Sequence, residues 1–517
     1  MAPRSFEFMP EHRSTHLPRR QSPFASLEPA EAAAMIGHGT TVGFSGFTPA
    51  GAAKAVPRAL AERARAMHER DEPMQVRVLT GASTGEALDQ ALAEANAIAW
   101  RAPYQSTRVL RDQINRQQVE FVDMHLSHVP QMLEFGFFGN LDYAVIEAVD
   151  VTPDGRVYLS SSSGVSPALL HQADKVIIEL NRYHHTRLAE MHDVALLPSP
   201  PHRSPIPIHH PMSKIGTPFA SVDPNKIVGV VENEEADGVS EFPPANAISS
   251  SIAEHVVKFL VAEMRAGRLP KEFLPLQSGV GNVANAVMAG LGEHEAVPPF
   301  YMYSEVLQDA LVDLMERGQL LGASCTSLTL SEGVLQRVYD NMDFFTPRLV
   351  LRPQEISNNP GVIRRLGAIA INTALEVDIY GHANSTHVCG TNLINGIGGS
   401  GDFTRNAYLS IVVAPSIAKD GAISAIVPMA SHVDHNEHSV QIVATDQGLA
   451  DLRGLGPLER ARTIIDQCAH PMYRDELHRY LAEAPGGHLR HDLSRCFSFH
   501  RNYLEKGHML GERQGVS

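Results

Sequence analysis

The sequence predicts an α/β protein built as two related open α/β domains with mostly parallel sheets. Three observations point there. Short β-rich runs alternate with Ala-rich helical segments; several runs end in a glycine-punctuated turn that opens a helix; and 517 residues exceed what one ordinary core encloses. The acidic, polar passage around Glu232, Glu234, Glu235 and Asp237 places the division at 1–233 and 234–517.

In the first domain an Ala-rich helix is expected over 27–36, with Pro29 in its first turn, where a missing N–H costs nothing. A buried strand over 40–44 then runs into the turn Ser45-Gly46-Phe47-Thr48-Pro49-Ala50-Gly51 and a helix extending to Met67. The order repeats with a strand over 74–79 and the turn Thr80-Gly81-Ala82-Ser83-Thr84-Gly85. Further strands are expected over 144–151, 175–180 and 226–231. The Pro-, His- and Ser-rich stretch 196–222 reads as an ordered excursion over the surface or across a domain interface, because long structureless loops are uncommon in compact domains. The N-terminal segment, basic but containing Glu7 and Glu11, lacks the apolar run of a secretory signal and reads as an arm.

In the second domain Ile248, Ile252, Val256, Val257, Leu260 and Met264 share one helical face, closed by Gly267 and Pro270. Strands are expected over 320–330, 349–351, 369–378, 409–413 and 422–427, and helices from Pro457 onward.

Composition restricts function. A net charge of −15 argues against general nucleic-acid binding, which needs clustered Lys and Arg. No apolar run is long enough to span a membrane. The four cysteines, Cys325, Cys389, Cys468 and Cys496, form no CxxC pair, so neither a disulfide framework nor a zinc knuckle is expected and a reducing cytoplasm fits.

Four pieces carry candidate chemistry. Gly279-Val280-Gly281 opens a helix through Asn282 and Val283, a turn whose N–H groups can hold a phosphate or an oxyanion; alone, Gly-x-Gly-x-x-Ala is a weak signal. Glu305 follows an apolar run and precedes a helix bearing Val306, Leu307, Ala310, Leu311, Leu314 and Met315. Such a carboxylate lies either at a ligand crevice or in a first helical turn, where the dipole makes it worth about 0.3–1 kcal/mol. Asn358 offers an amide that can donate to an oxyanion, or simply forms an Asx turn. Gly396-Ile397-Gly398-Gly399-Ser400-Gly401-Asp402-Phe403, after Asn395, is dense enough in glycine to press backbone against a ligand. The histidines 432, 435 and 438 lack the spacing of helical metal ligands, so a structural role is expected for them and no metal site.

Together and in order, with Val42-Gly43-Phe44-Ser45-Gly46-Phe47-Thr48-Pro49-Ala50-Gly51 and Asp446-Gln447-Gly448-Leu449-Ala450-Asp451-Leu452-Arg453-Gly454, these motifs resemble the acetyl-CoA hydrolase/transferase family, the class I CoA-transferases. The resemblance covers nearly the whole chain. It implies two CoA-transferase-like α/β domains facing one another, a homodimer, and acyl-CoA and small carboxylate as substrates, with coenzyme A as substrate and no tightly bound cofactor. It further implies Glu305 as nucleophile through a glutamyl-CoA thioester, and the Val280 N–H and Asn358 amide as oxyanion donors. Gly279, Val280, Gly281, Asn282, Val283, Asn395, Gly399 and Lys419 become coenzyme A contacts, with Leu375 lining the site. Two positions depart from the family's pattern. Asp446 stands where Glu is usual, shortening by one methylene a partner reaching towards Asn358, and Gly238 replaces an Arg, which bears on dicarboxylates. Transferase, hydrolase on the same scaffold, and non-catalytic coenzyme A binder remain open readings.

Overall fold

The computed structural model describes residues 22–240, 244–279 and 281–511. The arm expected at the N-terminus lies outside them up to residue 21, as does Val280.

Among the described residues two large sheets organise the fold, and they repeat one plan. The first has nine strands, of which seven run parallel: Glu120–Phe121, Ile98–Ala102, Val76–Leu79, Thr41–Phe44, Tyr143–Val151, Lys175–Asn181 and Ile227–Asn233, in that spatial order. The second has eight, of which seven are parallel: Leu349–Leu351, Leu320–Cys325, Phe300–Tyr303, Leu276–Ser278, Ile369–Thr373, Leu409–Val413 and Ile442–Thr445. In each sheet the first strand in sequence is central, the next three step to one side, and the later three to the other. This places a topological switch point at the carboxyl ends of Thr41–Phe44 and of Leu276–Ser278, where open α/β sheets form ligand crevices.

The strands are continuous buried runs, as sheets covered by helices on both faces require. The stripe from Ile252 to Leu260 lies on the helix Ala247–Arg265 and packs, with the helix Asn282–Glu293, into the core of the second sheet. The helices Pro457–Cys468, Pro471–Glu483 and Ser498–Lys506 enclose a further cluster with Val377, Ile426 and Val443. Strands Ile98–Ala102, Arg156–Leu159 and Ile442–Thr445 are additions to those the sequence pattern predicts. The first contains Arg101, a charge fully buried against Asp89, which hides its strand character from a hydrophobicity pattern.

Backbone pairing joins the two halves: Ser163 N–H donates to Thr326 O at 2.8 Å, Leu328 to Ser161 O at 2.9 Å and Asp193 to Leu351 O at 2.8 Å. The Pro-rich excursion crosses this junction. Buried Arg352 pairs with Asp193 and donates to the carbonyl of Pro211 at 3.0 Å, while Ile206 and Ile208 bury beside Tyr303 and Ile356. No helix among the described residues is long and apolar enough to cross a membrane, and the four cysteines are unpaired.

Candidate functional site

Glu305 does not stand in a helical first turn. Val306–Leu307 forms a short parallel pair with Ser327–Leu328, and the helix begins only at Asp309, with Gln308 in the position before it. Two strands, ending at Tyr303 and resuming at Val306, therefore hold Glu305 at the carboxyl edge of the second sheet, and the backbone carbonyl of Glu305 accepts from Thr326 N at 2.7 Å. Its location is the crevice one, and helix-dipole stabilisation has no helix end to act through.

The Glu305 carboxylate accepts from Asn358 Nδ2 at 2.7 Å. Asn358, fully buried, follows the short helix Gln354–Ser357 after strand Leu349–Leu351; its Oδ1 accepts from Ser357 Oγ at 2.7 Å, and Nδ2 also reaches Asp402 at 3.3 Å. Burial pushes the Glu305 carboxyl up to about 7; the Asn358 bond opposes this and the Asp402 charge reinforces it. The group is thus poised between forms near neutral pH, with an N–H donor already aimed at it.

The glycine-rich loop closes over this pair. A Cβ on Gly399 would lie 1.5 Å from Glu305 Oε1 and 2.4 Å from Asn358 Nδ2, so only glycine lets the backbone come this close. Below, Gly281 takes φ 124° at the N-cap of Asn282–Glu293, leaving first-turn N–H groups open to an anion. The Gly279 N–H is not one of these, because it donates to Ile371 O at 3.0 Å in continuation of the sheet. Val283 packs partly against the core beneath.

A cavity of about 460 Å³ opens onto Glu305, Gly279, Asn395 and Gly399. Half of its wall comes from the first sheet: Phe47 and Thr48 follow Thr41–Phe44, Ser83 follows Val76–Leu79, and Tyr104 follows Ile98–Ala102. The carboxyl edges of both sheets meet here. The sequence assigned this site to the second half alone; the glycine turns after residues 44 and 79 were its signal for the rest. Gly238, φ 66°, also lines the cavity, and no Lys or Arg does so among the described residues.

Seven of the expected site residues that are described do not line the cavity: Asn358 stands behind Glu305, Gly281, Asn282 and Val283 follow Gly279 into the helix, and Asp446, Lys419 and Leu375 are held elsewhere. Asp446 is held by Ser416, accepting from its N at 2.6 Å and Oγ at 2.9 Å, and by Gln447 Nε2 at 2.8 Å. Its short side chain is satisfied there, and the place at Asn358 belongs to Asp402. Lys419 is on an exposed hairpin with Nζ donating to Tyr503 Oη at 2.6 Å, and Leu375 is a half-exposed side chain whose backbone pairs with Asn384. Of the histidines, buried His435 places Nε2 3.1 Å from Ser400 Oγ in the glycine loop, and the His432 ring lies tilted against that of His387, with centroids 4.1 Å apart. Among the described residues Glu147, His184 and Asp237 are grouped closely enough to hold a metal ion, but the Lys54 ammonium already stands between them, paired with Glu147 and 3.2 Å from Asp237. That cluster reads as a buried ion-pair network.

Residues 13–232 match the acetyl-CoA hydrolase/transferase N-terminal domain and residues 335–481 the C-terminal domain of the same name. Over 481 residues the chain is 60% identical to propanoyl-CoA:succinate CoA transferase of Escherichia coli strain K12, covering 93% of this chain and 98% of that protein. It is 44% identical over 481 residues to succinyl-CoA:acetate CoA-transferase of Clostridium kluyveri, covering 92% and 89%. In three dimensions it resembles RipA from Yersinia pestis with a TM-score of 0.67 over 88% of this chain and 96% of that one, at 24% identity, a likeness of fold.

Proposed function

Because the chain belongs to the acetyl-CoA hydrolase/transferase family and is an enzyme of it, we propose that it moves coenzyme A between a short-chain acyl-CoA and a small carboxylate, with Glu305 as nucleophile. The observation that carries this reading is the Glu305 carboxyl held by Asn358 Nδ2 under the Gly399 backbone in a cavity at the meeting of two sheet edges. Acetyl-, propionyl- and succinyl-CoA are the candidate donors. Within this reading the protein works as a cytoplasmic homodimer, built of domains 1–233 and 234–517.

A Glu305 oxygen attacks the thioester carbonyl, and the oxyanion that forms is held by Asn358 Nδ2 and by the N–H of Val280. Collapse expels coenzyme A thiolate and leaves an acyl-glutamyl anhydride. The thiolate then attacks the Glu305 carbonyl, releasing the first carboxylate and leaving a glutamyl-CoA thioester. An acceptor carboxylate attacks that thioester to give a new anhydride and thiolate, and thiolate attack on its acyl carbonyl yields the new acyl-CoA and free Glu305. No proton need be moved in any step. What the site must do is keep water from both intermediates and stabilise each oxyanion. We assign the first turn at Gly281, Asn282 and Val283, together with Gly279, Asn395 and Gly399, to coenzyme A near the reacting sulfur, and Leu375 and Lys419 to its outer portion.

Incubation with acetyl-CoA should place a borohydride-sensitive coenzyme A adduct on the peptide containing Glu305; an unmodified peptide counts against the thioester, and full activity in Glu305→Ala refutes the nucleophile. Water attack on the same intermediates would make the enzyme a hydrolase. Thiol release from acetyl-CoA at one rate with and without succinate, acetate or propionate would favour that alternative, and the same acceptor panel identifies the carboxylate.

A further inference from the structure

Asp402 is 4% exposed, and both its oxygens are occupied from the opposite half of the molecule: Ser127 N donates to Oδ2 at 3.0 Å and Ser127 Oγ to Oδ1 at 2.6 Å. Ser127 lies in the turn Leu126–His128, beyond the fourth strand of the first sheet, and Asp402 in the helix Ser400–Thr404 that closes the glycine loop. The approach is tight, since a Cβ on Gly401 would meet the His125 ring at 2.3 Å. From this position Asp402 Oδ2 reaches Asn358 Nδ2 at 3.3 Å.

A side-chain amide has a donor edge and an acceptor edge of nearly the same shape, so its surroundings decide which one faces the nucleophile. Asn358 lies between two carboxylates, which only accept when ionised, and a serine hydroxyl that donates to its Oδ1. While Glu305 is a free carboxylate, it can itself select the NH₂ edge. Once Glu305 is acylated or carries coenzyme A it is uncharged, and that selection weakens at the stage when an oxyanion must next be stabilised. Asp402 is the acceptor that does not change during the cycle.

Resting on the nucleophile reading above, we propose that Asp402 is a positioning residue that fixes the NH₂ edge of Asn358 towards the reaction centre throughout the cycle, and that Ser127 of the first half holds Asp402 in place. The stabilisation of charge in the second half thereby depends on a residue of the first.

The test is a double-mutant cycle on CoA transfer from propionyl-CoA to acetate, with Asp402→Asn and Ser127→Ala each made in the native and in the Asn358→Ala background. If Asp402 acts through Asn358, Asp402→Asn lowers kcat about 10- to 100-fold in the native background, the scale of a misplaced catalytic group, with little change in KM. In the Asn358→Ala background the same substitution changes kcat by no more than about 2-fold. Ser127→Ala follows the same pattern with a smaller loss and serves alone if Asp402→Asn does not fold. Equal losses in both backgrounds, or no loss in the native one, overturn the proposal. A wild-type enzyme that neither transfers coenzyme A nor forms the Glu305 adduct would instead overturn the nucleophile reading.

Discussion

Gly399→Ala isolates a steric demand from a conformational one. Gly399 has φ −91° and ψ −1°, a conformation open to L-residues, as at the third position of a type I turn, so the substitution forces no left-handed backbone. The added methyl would lie 1.5 Å from Glu305 Oε1, 2.3 Å from its Cδ and 2.4 Å from Asn358 Nδ2, whereas Cβ contacts under 3.0 Å essentially never occur. The carboxylate oxygen must therefore retreat by about 1.5 Å, beyond the reach of its 2.7 Å bond to Asn358. A displacement of about 1 Å in a reacting group can cost about 10²-fold, and losing an oxyanion donor costs about 10²–10³-fold. Since one movement causes both losses they do not add, and a fall in kcat of about 10²–10³, or about 2.7–4 kcal/mol in the barrier, is expected. The assay is steady-state transfer from acetyl-CoA to propionate, with thermal unfolding as control. A kcat within about threefold of wild type, in a variant that melts normally, would refute the packing of Gly399 on Glu305 as the proposed nucleophile.

Three further outcomes are expected. With the Glu305 carboxyl near 7, kcat/KM should rise with pH through an acid limb about there, since in the proposed mechanism only the ionised form attacks; Asn358→Ala removes a bond that favours the ionised form, so its limb moves to higher pH while kcat falls by about 10²–10³, and a limb unmoved or moved down would contradict the assigned contact. Lys54→Met leaves Glu147 and Asp237 buried without their ammonium and should destabilise by about 3–5 kcal/mol in urea unfolding; a loss below about 1 kcal/mol would mean the pair is dispensable. Burial opposes the His184 imidazolium, but Asp237 and Glu147, 3.3 and 3.2 Å away, outweigh it and push the imidazole up to about 9. Its stabilising contribution is complete below the usual pKa of 6.5 and lost as pH rises through about 9, so wild type should lose more stability than His184→Gln between pH 6.5 and pH 9; equal slopes in urea titrations at the two pH values would refute the charged imidazole.

Much of the scaffold is legible from residue order. Strands such as Thr41–Phe44 and Lys175–Asn181 are short, apolar and bounded by turn residues, and the helix Ala247–Arg265 shows its buried face at helical spacing, because these patterns arise from one element meeting one core. Strands carrying paired charge inside, like Arg101 with Asp89, escape such reading, since the partner that makes burial tolerable lies outside the short strand whose pattern is being read. Glu305 was legible as a crevice carboxylate or a helix-start acid; the parallel pairing of Val306 with Ser327, a long-range contact, decides between them.

The sequence by itself determined the alternating α/β plan, the glycine turns and the residue types of the proposed site, a carboxylate and an amide donor. The tertiary structure alone decided who stands beside whom. Asp446 was expected at Asn358 and is held by Ser416, while Asp402 takes that place and is itself held by Ser127, separated from it by nearly the length of a domain in sequence. Local propensity and periodicity are written in neighbouring residues, but a hydrogen bond across two sheet edges depends on how both halves pack, and no single stretch of chain encodes that.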